Sequence, residues 1–183
     1  NNKTLVKTSG ACIYYLENNY FGKTNHITSI TRKVREGYMH LDNFTMKNLE
    51  IFNSLNDGGI YGTLIDVIDN TSTSMGSRLL KKHLREPLAN IKKINLRLDL
   101  VTELIKDENL LFEIKDYLNK TSDIQRIIGK ISSNKVNPPD LSNLSKSLTC
   151  LNNIGNLLNK KHKSVYKLLK NTKNLNSLIK TID

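Results

Sequence analysis

The chain has 183 residues, 38% hydrophobic and 25% charged, an ordinary globular composition with enough material for a buried core. Lys and Arg number 28 against 17 Asp and Glu, and the net charge of +11 points to a polyanionic neighbour, with nucleic acid first among them. No apolar run approaches the roughly 20 residues of a membrane-spanning helix, and Cys12 and Cys150 form no CxxC pair, which argues against a membrane protein, a disulfide framework or a cysteine metal site and for a reduced intracellular compartment.

The N-terminal "NNKTLVKTSG" lacks a signal pattern and reads as part of a longer protein. "SGACIYYLENNY" opens on a Ser-Gly cap signal and predicts a short helix with Ala11, Tyr14, Tyr15 and Leu16 as its apolar positions. "HITSITRKV" and "GYMHLD" are short strand candidates. "NFTMKNLEIF" suits a helix through Phe44, Asn48, Leu49 and Phe52, and "NDGGIYG" a turn.

From Leu64 onward the pattern is helical. Met75, Leu79, Leu80 and Leu84 form one apolar stripe that Pro87 ends. Asn90 is a good N-cap for a helix marked by Ile91, Ile94, Leu98, Val101, Leu104 and Ile105. Leu110, Leu111, Ile114 and Leu118 mark the next, and Ile124, Ile127, Ile128 and Ile131 a short one after it. "NPPD" breaks the chain, and Asp140 is expected to cap a long helix carrying Leu141, Leu144, Leu148, Leu151, Ile154, Leu157 and Leu158. Val165 to Ile182 either continue that helix or begin another after "NKKHK". The fold class is mainly α: a multi-helix core with a small mixed α/β portion near the N-terminus.

"NTSTSMGSRLLKKHLREPL" poses a choice between a phosphate cradle and a helix start. A nucleotide loop uses several glycines and a Lys followed by Ser or Thr. This stretch has one glycine, Gly76, and the chain has no Gly-Lys-Ser/Thr. Hydroxyls such as that of Thr73 serve more simply as acceptors for the unpaired amides of a first helical turn. Gly76 within a helix costs stability unless it allows close packing, so it is expected against a neighbouring backbone. The four histidines, His26, His40, His83 and His162, share no metal-ligand spacing, and no Cys/His or Ser/His/Asp set emerges. His83 reads as a half-buried packing residue.

Taken in order, "SGACIYYLENNY", "MHLDNFTMKNLEIF", "GTLIDVIDNTSTSMGSRLLKKHLREPL", "INLRLDLVTELI" and "TSDIQRIIGKISSNKVNPPDLSNLSKSL" resemble the core domain of the MutS family of DNA mismatch-repair proteins. The resemblance spans about residues 9–148, with His83, Gln125 and Pro139 standing where the family commonly has Trp, Glu and Arg. It implies residues 1–10 as the end of a connector segment, 11–148 as the core domain, and 149–183 as lever helices leading toward a clamp. Such proteins bind double-stranded DNA as two-subunit assemblies, work with a MutL-like partner, and use ATP and magnesium in a domain this chain lacks. The resemblance therefore implies a non-catalytic fragment without cofactor or membrane, mechanically coupling ATP state to clamp closure inside the cell, in cytoplasm and nucleoid or in a nucleus or organelle. A stand-alone basic helical module that binds nucleic acid nonspecifically is the alternative.

Within that reading, Asp42, Thr45, Asn48 and Glu50 are expected to tie a strand end to the next helix. Arg78 and Arg97 are expected to pair with buried carbonyls or with Asp66, Asp69 or Asp99. Between Leu141 and Ile182 there are eight lysines and no acid; Lys160, Lys161, Lys163 and Lys167 are the candidates for DNA phosphate contacts.

Overall fold

Short polar side chains set the helix starts. In the computed structural model, which describes residues 2–19, 27–31, 37–158, 165 and 175–182, α1 spans Asn2–Asn19. Seven further helices each have an N-cap whose side chain accepts a hydrogen bond from the backbone N–H three residues on. Asp42 caps α2 (Asn43–Asn48), Thr63 caps α3 (Leu64–Ile68) and Thr73 caps α4 (Ser74–Arg85). Asn90 caps α5 (Ile91–Ile105), Asp107 caps α6 (Glu108–Asn119) and Asp123 caps α7 (Ile124–Ser132). Asn137 caps α8 (Pro138–Leu157). The last described helix, α9, is Leu175–Ile182.

The chain divides into two units, residues 1–36 and 37–183. In the first, α1 runs through Ser9 and Gly10, so the expected cap there is an interior turn. Gly10 is exposed with open space where a Cβ would stand, and the helix absorbs it. Residues 27–31 have no regular structure, and the rest of the first strand candidate lies outside the described residues.

The second strand candidate shrinks to one antiparallel bridge between Tyr38 and Leu88. It is flanked by Met39 N–H donating to Pro87 O at 2.7 Å and Ala89 N–H to Gly37 O at 2.8 Å. The caps Asp42 and Asn90 start helices just beyond, which leaves the pairing no room to extend. Among the described residues the fold is mainly α without a strand, and the expected mixed α/β portion is not present.

Helix α8 is the common wall of unit two. Against it, Leu110, Ile154, Leu158 and Val165 form one buried cluster, flanked by Leu100 and Leu104 of α5 and by Ile114, Tyr117 and Leu118 of α6. Ile127, Leu144 and Leu148 form another, covered by Ile124 of α7 and by Leu175, Ile179 and Ile182 of α9. Leu151 packs on both. Of the two readings of the C-terminal segment, a separate helix is the one found: α8 ends at Leu157, and α9 packs on it, with Asn152 Nδ2 donating to Asn176 Oδ1 at 2.6 Å.

The α8 start corrects one expectation. Pro138 and Pro139 lack N–H groups and suit the first turn of a helix, so the cap falls on Asn137 before them. Asp140 instead occupies the third position, completing a capping box and pairing with Lys130 Nζ at 2.8 Å. Fully buried Ser147 fastens the α6–α7 turn to this wall, accepting from Ser122 N–H at 2.9 Å and donating to Asn143 O at 2.7 Å.

Apolar spacing named helices correctly but not always their buried side. No residue of α4 is buried, and Leu79 of its stripe is 52% exposed. On α5 the side that packs inward carries Leu100 and Leu104, whereas Ile91, Leu98, Val101 and Ile105 are exposed.

Candidate functional site

The Ser/Thr-rich start of α4 is a junction between two distant parts of the chain. Asp69, at the C-cap of α3, accepts from Thr71 Oγ1 at 2.6 Å and from Ser77 Oγ, and the Ser77 bond followed by the Thr71 bond holds its carboxyl below the usual range. Thr73 Oγ1 accepts from Gly76 N–H at 3.0 Å. Ser74 Oγ reaches across to Asp123 Oδ2 at 3.0 Å.

Arg78 completes the link. Its Nη1 and Nη2 donate to Asp123 Oδ2 and Oδ1 at 2.7 and 2.8 Å, a two-pronged pairing, and Nη2 also donates to Gln125 Oε1 at 2.8 Å. Asp123 caps α7 at the same time, through Arg126 N–H at 3.1 Å. The Arg78 bond above all, aided by Arg126 N–H and Ser74, holds the Asp123 carboxyl far below the carboxylate range. Asp123 in turn raises the Arg78 pKa. The partner expected for Arg78 among Asp66, Asp69 and Asp99 is thus corrected to Asp123, 45 residues away. An Asp before the apolar run of α7 carries an N-cap signature, which was the available signal for Asp123; its second role depends on the tertiary fold.

These bonds show how the start of α4 is capped. The Asp123 carboxylate and that of Asp69 bond the first-turn side chains of α4, and the Gly76 amide is taken by Thr73. Two carboxylates near a helix N-terminus complement the positive end of its dipole.

Gly76 is crowded, though not by a neighbouring backbone as expected. A Cβ there would stand 3.2 Å from Thr73 Oγ1 and 3.3 Å from Thr71 Cβ, so its neighbours are the side chains of its own cap. Gly76→Ala gains about 1 kcal/mol of helix propensity at most. It disturbs a cap worth about 1 kcal/mol and adds an overpacking cost of about 1–3 kcal/mol. A net loss of about 1–3 kcal/mol is expected on this balance. Urea unfolding checks it, and an unchanged or higher midpoint would show that Thr71 and Thr73 move aside freely.

The "LDNFTMKNLE" residues do a different job from the one expected, since no strand ends there. Asp42 Oδ1 accepts from Thr45 N–H at 2.7 Å, a bond that lowers the Asp42 pKa. Thr45 O accepts from Leu49 N–H, and Asn48 is the exposed last residue of α2. Glu50 has φ +46°, which turns the chain out of α2, and its Oε1 accepts from Leu55 N–H at 2.6 Å. The carbonyls of Glu50 and Ile51 then accept from Leu64 and Ile65 at the start of α3. These residues dock α2 on α3 over buried Ile51, Thr63 and Ile65.

Arg97 is exposed on α5. Burial, then the charges of Arg97 and Lys82, lower the pKa of half-buried His83. Lys160, Lys161, Lys163 and Lys167 lie outside the described residues, while Lys146 and Lys180 are exposed. Among the described residues no three His, Cys, Asp or Glu converge as metal ligands, and no helix is long and apolar enough to cross a membrane.

Comparison with known proteins places this chain in a family. The pattern of MutS domain III matches residues 44–183. The chain is 38% identical over 146 residues to the DNA mismatch repair protein MutS of Christiangramia forsetii, covering 80% of this chain and 16% of that protein. It is 37% identical over 171 residues to the MutS of Cytophaga hutchinsonii, covering 93% and 20%. With the MutS of Caldanaerobacter subterraneus the identity is 38% over 158 residues, covering 86% and 18%. The chain thus spans a fifth or less of the length of these relatives. With the match covering most of the chain, and relatives more than a third identical over at least four fifths of it, the chain belongs to the MutS family, in its domain III.

Proposed function

We propose that this chain is a non-catalytic core element of a MutS-like mismatch-repair protein, passing movement between an ATP-binding part and a clamp on double-stranded DNA. The observation that carries the reading is the Arg78–Asp123 pairing, which locks the start of α4 to the start of α7 in one geometry. Coupling needs stiff elements with discrete arrangements, and a two-pronged ion pair between capped helices is such a contact. ATP and magnesium would be held elsewhere in the parent, because this chain has no Gly-Lys-Ser/Thr loop. A second MutS-like subunit and a MutL-like protein are its proposed partners, in an intracellular setting. Residues 149–183 would lead toward the clamp, and Lys160, Lys161, Lys163 and Lys167 would add salt-sensitive phosphate contacts.

The test uses the full-length parent protein carrying Arg78→Ala. Basal ATP hydrolysis should persist, while its response to duplex DNA is lost, since coupling and chemistry are separable. A variant whose hydrolysis still responds normally to DNA would show that this junction carries no coupling.

A further inference from the structure

A cleft of about 520 Å³ lies between α2, the turn that follows it, and the end of α4. Its lining includes two cations, Lys47 and Arg85, and no carboxylate. Half-buried Met46 and Phe52 give it an apolar side. The Arg85 guanidinium carbon sits 4.7 Å from the centroid of the Phe52 ring. A guanidinium held over a ring by cation–π attraction keeps N–H donors with the planar fork that pairs a carboxylate two-pronged. Lys47, in the last turn of α2, is exposed and supplies a second positive charge.

The other polar groups of the cleft argue about which anion enters. Asn53 Nδ2 donates to Gly58 O at 2.9 Å, and Gly58 N–H donates to Ser54 O at 3.0 Å. A bare phosphate is favoured by several converging backbone amides, and here the glycine amide is already committed. An organic carboxylate with an apolar body meets both halves of the lining, and the volume lies in the range of small-ligand sites, about 300–1,000 Å³. We propose that this cleft receives an acidic side chain next to an apolar residue, presented by an acidic peptide segment of a partner protein. Charge complementarity selects the carboxylate, and Met46 and Phe52 select its neighbour.

Fluorescence anisotropy of a fluorescein-labelled peptide of alternating Glu and Leu, titrated with the 183-residue chain, tests this. Saturable binding is expected, and none for the same peptide with Gln in place of Glu. Lys47→Gln should weaken it about tenfold, the size of one charge-assisted contact. Arg85→Gln should abolish it, and Arg85→Lys should fail to restore it, because an ammonium lacks the planar fork. Lys47→Glu, at an exposed position, serves as the decisive variant if Arg85→Gln misfolds by circular dichroism. Equal binding of the Gln peptide, or indifference to the Lys47 variants, would overturn the proposal. So would displacement of the peptide by inorganic phosphate or duplex DNA at lower concentrations than by unlabelled peptide, which would assign the cleft to phosphate.

Discussion

Leu158→Ala should destabilise the chain by about 2–5 kcal/mol, the range for truncating a fully buried leucine. Leu158 is 1% exposed and closes α8 at its C-cap, in the cluster with Leu110, Ile154 and Val165. Truncation removes the transfer energy of the lost methyl groups and leaves a void between α8 and the elements packed there. Leu158→Met, which nearly conserves volume, should lose less than about 1.5 kcal/mol. Urea denaturation of these variants beside Leu79→Ala, at a residue 52% exposed, gives the comparison. Equal losses at Leu158 and Leu79 would contradict the packing described.

Asp123→Ala should be the most damaging polar substitution. It removes the cap of α7, worth about 1–2 kcal/mol by itself, and strips Arg78 and Ser74 of their shared acceptor. Asp123→Asn separates the two effects, since Asn caps a helix as well as Asp but carries no charge. The pH dependence follows from the direction of the shift. The folded-state pKa of Asp123 is depressed, chiefly by Arg78, so its stabilisation is present above the unfolded carboxylate value of about 3.9. It is lost as pH falls below that value toward the folded pKa. Asp123→Asn should therefore flatten part of the acid limb of stability, leaving the portion due to Asp42, Asp69 and Asp140, whose pKa values are also lowered. An acid limb identical to that of the unmodified chain would rule out the pairing as a stabilising contact.

Local chemistry was legible in the sequence, and long-range chemistry was not. Thr73 and Asn90 reveal helix starts because a cap needs only the next three residues. The same locality misled at Asp140: a good cap residue stands there, but the prolines before it fit inside the first turn and move the cap to Asn137. At Ser9 and Gly10 a cap-like pair lies inside α1. The partner of Arg78 could not be read, since three nearby aspartates were equally available and Asp123 is far along the chain. Periodicity on α5 marked one stripe from Ile91 to Ile105, of which Leu104 packs on the core and Ile94 is half-buried while Ile91, Leu98, Val101 and Ile105 are exposed. The packed side takes in Leu100, which the spacing did not mark. The cleft beside Lys47 and Arg85 left no sequence signal, because its lining comes from three separate stretches.

The shared wall has a consequence for how the molecule breathes. Leu151 belongs to both apolar clusters, so neither can loosen without disturbing the other face of α8. Amides in the middle of α8 should thus exchange with solvent only through opening of the whole unit, whereas α4, without a buried residue, is held chiefly by the bonds of Ser74 and Arg78 to Asp123 and should exchange faster. Exchange measured residue by residue would show one slow block centred on Leu148 to Ile154. A unit arranged in this way keeps one rod that both of its apolar clusters must release together.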